Sequence, residues 1–210
     1  MCNSYVPDLQ AFYNKRLDYL KSKSQLNLEK VDFTQVTDPY LSVKAQNPIM
    51  IIGEAPGANE VQFGEPFIGM AGKNLMSLIT LANLNREKDI LITNAFPFRT
   101  FETTTIGIKN RTPNTKELTF GATLLIEEIE IVKPRLILIL GGSAKKAFLK
   151  LPDLNLKTAL NSMENHTFCE VVTQAGIETS LGLGFHPSPL VYNQPKKRVL
   201  LEEFFKKIIF

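Results

Sequence analysis

Three short runs along the chain are almost wholly apolar: residues 48–52, 89–93 and 135–140. A fourth run, 181–185, alternates apolar residues with glycine. Each ends at a turn or at chemistry-bearing residues, namely Gly53, Asn94, Gly141-Gly142 and His186. Strands that are apolar on every side are covered on both faces, as in a parallel sheet. Helical spacing fills the intervals over residues 72–83, 115–132 and 143–149, and an amphipathic stretch at 196–209 closes the chain. Near the start, Leu9, Phe12, Tyr13, Leu17 and Leu20 fall at helical spacing within residues 8–24, with Lys and Arg on the other face. Residues 24–47 are polar and irregular, and read as a lead-in to the core. The alternation predicts an α/β fold: a three-layer α/β/α sandwich with a central, mostly parallel, four-stranded sheet. One domain over 1–210 is expected, with residues 1–47 as helix and lead-in and 48–210 as the core.

Composition narrows the class. With 210 residues, 44% of them hydrophobic and 21% charged, the chain is globular rather than disordered. It has 24 basic and 21 acidic residues, and the resulting +3 is compatible with a polyanionic partner without arguing for one. Two cysteines, Cys2 and Cys169, are too few for a disulfide scaffold or an all-cysteine zinc site, and no Cys-x-x-Cys occurs. No metal site is expected. The start lacks a signal-peptide pattern, and apolar runs of about six residues fall well short of the ~20 that a membrane helix needs. A cytoplasmic protein without a membrane partner is expected.

In open α/β sheets ligands bind at the carboxyl ends of strands, so the residues gathered there carry the functional signal. Glu54 stands where the first strand runs into Gly53-Glu-Ala-Pro-Gly57. It is either a solvated turn residue or a carboxylate able to orient water or stabilise a cation. Phe67, alone in a glycine-rich loop, either plugs that loop onto the domain or offers a stacking face to a planar ligand. Gly141-Gly-Ser143 is either an ordinary strand-to-helix turn or a phosphate-binding one. Lys196-Lys197-Arg198 is either a solvated helix start or a contact to a polyanion. His166 lies in a polar stretch away from any strand end and reads as a surface residue. Cys169 reads as a small core residue.

The wording of these segments is specific. Gly53-Glu-Ala-Pro-Gly-Ala-Asn-Glu60 followed by Gly64-Glu-Pro-Phe-Ile-Gly-Met-Ala-Gly72 resembles the first signature of the family 4 uracil-DNA glycosylases. Ile92-Thr-Asn94 with Asn110-Arg-Thr-Pro113 resembles the second block, and Lys133-Pro134 through Gly141-Gly-Ser-Ala144 the third. His186-Pro-Ser-Pro-Leu190 is similar to the superfamily's last motif, in wording closer to the family 1 enzymes. The resemblance spans roughly residues 48–205 in the family's order.

It implies a monofunctional enzyme that flips uracil out of DNA and hydrolyses its N-glycosidic bond, leaving an abasic site, as in base excision repair. Glu54 and His186 would be catalytic, the first at the sugar cation and its water, the second at uracil O2. Gly53, Ala55, Phe67 and Asn94 would bind the base, Asn94 by reading its edge and Phe67 by stacking. Glu60 and Asn110 would brace the pocket loops. Ser143 and Ser188 would meet phosphates, and Leu190 would wedge into the gap left by the flipped base. The partner would be uracil-containing DNA, and the protein is expected to act as a monomer. Rival readings are a glycosylase for hypoxanthine or xanthine, a non-catalytic binder of uracil-containing or single-stranded DNA, and a sugar- or nucleotide-binding enzyme unrelated to DNA.

Two departures from the family pattern stand out. Family 4 enzymes carry a four-cysteine iron–sulfur cluster, whereas here Phe98 and Gly121 stand where two of the cysteines would fall. No cofactor is therefore expected, and Phe96, Phe98, Phe101 and Phe120 are the candidates to hold those loops by apolar packing. Residues 100–109 form an insertion without a histidine, so covalent trapping of the sugar, known in one branch of the superfamily, is not expected.

Overall fold

A computed structural model describes residues 6–22 and 29–208. Cys2, positions 23 and 24 of the expected first helix, the Leu20 side chain and Ile209 lie outside the described residues. The central sheet runs, from edge to edge, β3 (Ile90–Asn94), β2 (Ile49–Gly53), β6 (Leu136–Leu140), β8 (Glu178–Gly184) and β7 (Thr167–Val172). Strands β2 (Ile49–Gly53), β3 (Ile90–Asn94), β6 (Leu136–Leu140) and β8 (Glu178–Gly184) are the four expected ones, all parallel. A fifth, β7 (Thr167–Val172), pairs antiparallel with β8 and forms one edge, so the expected four-stranded sheet has five strands among the described residues.

Period-2 alternation divides the apolar strand residues between two faces. Met50, Ile52, Ile137 and Ile139 meet α4 (Thr115–Val132), α5 (Gly142–Phe148) and α6 (Leu154–Ser162). Ile49, Ile51, Leu138 and Leu140 meet α3 (Met70–Leu81) and α8 (Pro195–Lys206). On α8, Leu201, Phe204 and Phe205 are completely buried, each worth about 1.5–3 kcal/mol of transfer free energy. Helix α4 begins and ends where its sequence says it must. Asn114 and Glu117 form a reciprocal capping box, and Lys133 closes the helix in the left-handed region ahead of Pro134, which cannot continue it.

The lead-in is not merely polar and irregular. Its β1 (Val31–Asp32) pairs with β4 (Arg99–Thr104), which forms a hairpin with β5 (Gly107–Asn110). The inserted residues 100–109 are thus a β-hairpin, with Ile106 at its tip 95% exposed. Asp38 and Lys44 in the lead-in are buried and ion-paired. Helix α1 (Val6–Lys21) lays Leu9, Phe12 and Tyr13 against Phe96, Phe98 and Phe120. Phe101, expected to share this packing, is only partly buried and lies near Arg99, outside that core. His166 is not the expected surface residue. Its ring packs edge-on against Phe185 at 4.4 Å, and burial lowers its pKa. Among the described residues no helix is long and apolar enough to cross a membrane.

Candidate active site

A cavity of about 320 Å³ opens beside the carboxyl ends of β2, β3 and β8, with Ala55, Glu60, Phe67, Asn94, Asn110 and His186 in its walls. Its volume is at the small end of the ~300–1,000 Å³ typical of ligand sites, which suits a single ring.

Asn94 ends β3 and is 9% exposed, and its side-chain amide has no hydrogen-bond partner among the described residues. The amide is open to the cavity rather than buried against protein, so a ligand's polar edge can reach it there. Beside it, Phe67 holds φ 56, a backbone conformation costing about 1–3 kcal/mol for such a residue. A β-carbon on Gly53 would stand 2.5 Å from Cε2 and Cζ of Phe67 and 2.9 Å from Oδ1 of Asn94. Gly53 therefore lets the ring and the amide approach one another. Gly72 does the same for the Phe67 backbone, since a β-carbon there would lie 1.5 Å from its carbonyl oxygen.

The loop that carries Phe67 is clasped by one carboxylate. Glu60, on α2 (Ala58–Phe63), accepts backbone N–H bonds from Gly57, Ile68 and Gly69 at 3.1, 3.1 and 2.8 Å. Asn110, at the base of the hairpin, accepts from Arg99 Nε at 2.8 Å. Its neighbour Arg111 forms a two-pronged pair with Glu117 at 2.7 and 2.6 Å, which ties the cavity wall to the start of α4. Glu60 thus bonds two segments of the cavity wall, whereas Asn110 bonds Arg99 within its own hairpin.

Glu54 is half-buried at the rim rather than in the wall, and Ser143 donates its hydroxyl to Oε2 at 2.7 Å. Ser143 is 9% exposed, and its hydroxyl, expected from sequence at a phosphate, donates here to Glu54. His186 lies on the other side, its ring centroid 5.8 Å from that of Phe67. Burial lowers its pKa, and the negative charge of Glu54 partly opposes the shift. The imidazole is neutral near pH 7 and keeps one N–H donor. The turn after it is pinned by Asn74, whose Nδ2 donates to the Pro187 carbonyl at 2.8 Å. Nothing in the sequence marked Asn74, because its partner is 113 residues away. Ser188 is the N-cap of α7 (Pro189–Tyr192) but its side chain makes no capping bond, and Leu190 stands 80% exposed on that turn.

Residues 42–209 match the uracil DNA glycosylase superfamily. The chain belongs to that superfamily. Over 160 residues it is 33% identical to the type-4 uracil-DNA glycosylase of Pyrobaculum aerophilum, covering 76% of this chain and 74% of that protein. The type-4 uracil-DNA glycosylase of Thermotoga maritima is 30% identical over 160 residues, covering 75% and 74%. Pedobacter heparinus SMUG2 shares the fold, with a TM-score of 0.53 at 14% identity over 92% of this chain and 95% of that one.

The iron–sulfur cluster implied by the family 4 resemblance finds no ligands at the two positions the sequence picked out. Phe98 is completely buried, 5.7 Å from Phe33 between ring centroids. A β-carbon on Gly121 would meet the Ala95 carbonyl oxygen at 2.0 Å, so no cysteine fits there without backbone movement. Among the described residues no group of three or more His, Cys, Asp or Glu is placed to hold a metal. Phe98 and Gly121 do not fit a cysteine-ligated cluster in this glycosylase fold.

Proposed function

We propose that this protein is a monofunctional uracil-DNA glycosylase that works without a cluster or a metal. The observation that carries the reading is the unpartnered Asn94 amide sharing one small cavity with Phe67 and His186, with the Glu54 carboxylate at its rim.

A base inside a duplex cannot reach such a cavity, so the nucleotide must flip out at a cost of a few kcal/mol. Exposed Leu190 would fill the vacated gap, as apolar wedges do, and the Ser188 hydroxyl would contact the backbone. In the cavity the ring stacks on Phe67 while the Asn94 amide pairs with the uracil edge. That edge offers an acceptor and a donor at O4 and N3–H, and cytosine reverses both, leaving buried polar groups mismatched. The bond from sugar C1′ to uracil N1 then breaks, its electron pair leaving with the base. Neutral His186 donates a hydrogen bond to O2 as negative charge grows there. Glu54 sits outside the base cavity, where the sugar lies. There a carboxylate stabilises the developing cation and orients the water whose oxygen bonds to C1′. One proton of that water ends on the uracil and one stays on the abasic sugar's hydroxyl.

The test uses purified protein and labelled oligonucleotides containing uracil, hypoxanthine, xanthine or thymine, followed by alkaline cleavage. Strand scission at uracil, abolished in Asn94→Ala and His186→Ala, is expected. Release of hypoxanthine or xanthine in place of uracil would reassign the substrate. Binding of uracil-containing DNA with no base released would overturn the enzymatic reading.

A further inference from the structure

We propose that Ser143 is a positioning residue for Glu54 rather than a DNA-phosphate ligand, an inference that rests on the uracil-DNA glycosylase reading above. Strands β2 and β6 lie side by side in the sheet, yet the chain leaves them in opposite directions. After β2 it passes to α3 on one face and returns as β3, whereas after β6 it enters α5 and α6 on the other and returns as the edge strand β7 and then β8. A crevice opens at such a switch point. Glu54 is the first residue beyond β2, and Ser143 is the second residue of α5, three beyond the end of β6. Their 2.7 Å hydrogen bond spans the crevice across 89 residues of sequence.

Three features make this a device for orientation. Ser143 is buried at 9% exposure, so its hydroxyl is poorly placed to reach a phosphate on the protein surface. It engages only Oε2, leaving Oε1 of Glu54 without a partner among the described residues and free for sugar or water. The same turn also sets the other catalytic group. Gly141, two residues earlier, packs against His186, where a β-carbon would lie 2.8 Å from the histidine Cβ, and its N–H donates to the Gly184 carbonyl at 2.9 Å. Gly141 and Ser143, at the start of α5, therefore touch His186 and Glu54 respectively and set the separation between the sugar end and the base end of the reaction. A hydrogen bond to a carboxylate at ~2.7 Å is charge-assisted and directional, which fixes a rotamer that would otherwise swing at the rim.

Steady-state and single-turnover excision of uracil from single-stranded DNA separates the two roles, with each variant's fold checked by its melting temperature. For Ser143→Ala the expected result is a fall in kcat of about 10- to 100-fold, with the half-saturating DNA concentration and its salt dependence unchanged. Ser143→Thr, which restores the hydroxyl, is expected to recover most of the rate. A raised half-saturating concentration with kcat preserved would return Ser143 to the phosphate role. No change in Ser143→Ala, or a Thr variant as slow as the Ala variant, would likewise overturn the proposal. Absence of excision by the wild-type protein would instead overturn the underlying reading, and the two failures are told apart in the wild-type lane alone.

Discussion

Gly141 and His186 are in contact: a β-carbon on the glycine would stand 2.8 Å from Cβ of the histidine, and the glycine holds φ 96. Gly141→Ala thus meets a steric clash and a left-handed backbone strain of about 1–3 kcal/mol at once. The strain lowers the melting temperature, and relief of the clash displaces His186. Misplacement of about 1 Å costs on the order of 100-fold in rate, so excision by Gly141→Ala is expected to fall by that order while the secondary structure is kept. Single-turnover kinetics beside circular dichroism check this, and full activity in a folded variant would show that the contact is not a constraint.

The protonation of His186 is set by two opposed causes. Burial lowers its pKa and dominates, while the charge of Glu54 raises it. Its imidazole should titrate below the ordinary ~6.5, and lower still in Glu54→Gln, where the opposing charge is gone. Because the unfolded chain takes up this proton first as pH falls, His186 contributes stability that is fully present above about pH 6.5 and is lost as pH falls through the folded pKa. His166, also lowered by burial, adds in the same direction. NMR titration of the two imidazoles reads each separately. A His186 midpoint above 6.5 would mean that the Glu54 charge outweighs burial.

Asp38 carries a buried charge network. It pairs with Lys44 Nζ at 3.3 Å and with Arg86 at 2.9 Å, and it accepts the Ile92 N–H at 3.0 Å. Asp38→Asn leaves buried Lys44 without its counter-charge, a loss of about 3–5 kcal/mol. In the wild type, burial lowers the Lys44 pKa from 10.5 to about 8 against the pull of Asp38. Between those values the unfolded chain binds the extra proton, so this group's contribution to stability rises with pH. Denaturant unfolding at pH 7 and pH 9 is expected to show the Asp38→Asn deficit shrinking at the higher pH. A loss below 1 kcal/mol at pH 7 would contradict the network's importance.

Tyr13 of α1 donates its hydroxyl to Oε1 of Glu128 at 2.5 Å, and Thr93 donates to Oε2 at 3.0 Å. Tyr13→Phe leaves a buried carboxylate short of one donor, at a cost of about 1–3 kcal/mol. For a chain this size that amounts to roughly 2–4 °C of melting temperature per kcal/mol. Tyr13 is not in the cavity wall, so excision kinetics at 25 °C are expected to be unchanged. Thermal melts and a rate assay on the same preparation check both halves.

The sequence by itself determined the parallel strands, the boundaries of α4 and the residues that gather at the strand ends. These rest on local physics: strands buried on both faces are continuously apolar, while Asn114 and Glu117 cap the start of α4 and Pro134 ends it. The resemblance to the family 4 glycosylases ordered Glu54, Phe67, Asn94 and His186 into one motif series, and in this class of fold ligands bind at the strand ends where Glu54, Asn94 and His186 stand. Only the tertiary structure decided which of these residues touch and which polar groups are buried. The bonds Ser143–Glu54, Asn74–Pro187 and Tyr13–Glu128 join positions 89, 113 and 115 residues apart. No periodicity reports such pairs, and hydroxyls, amides and carboxylates count as surface residues until their partners are known. For the same reason the polar lead-in concealed a buried ion network, the edge strand β7 lay outside the four apolar runs, and Ser143 showed its hydroxyl's destination only once β2 and β6 stood side by side.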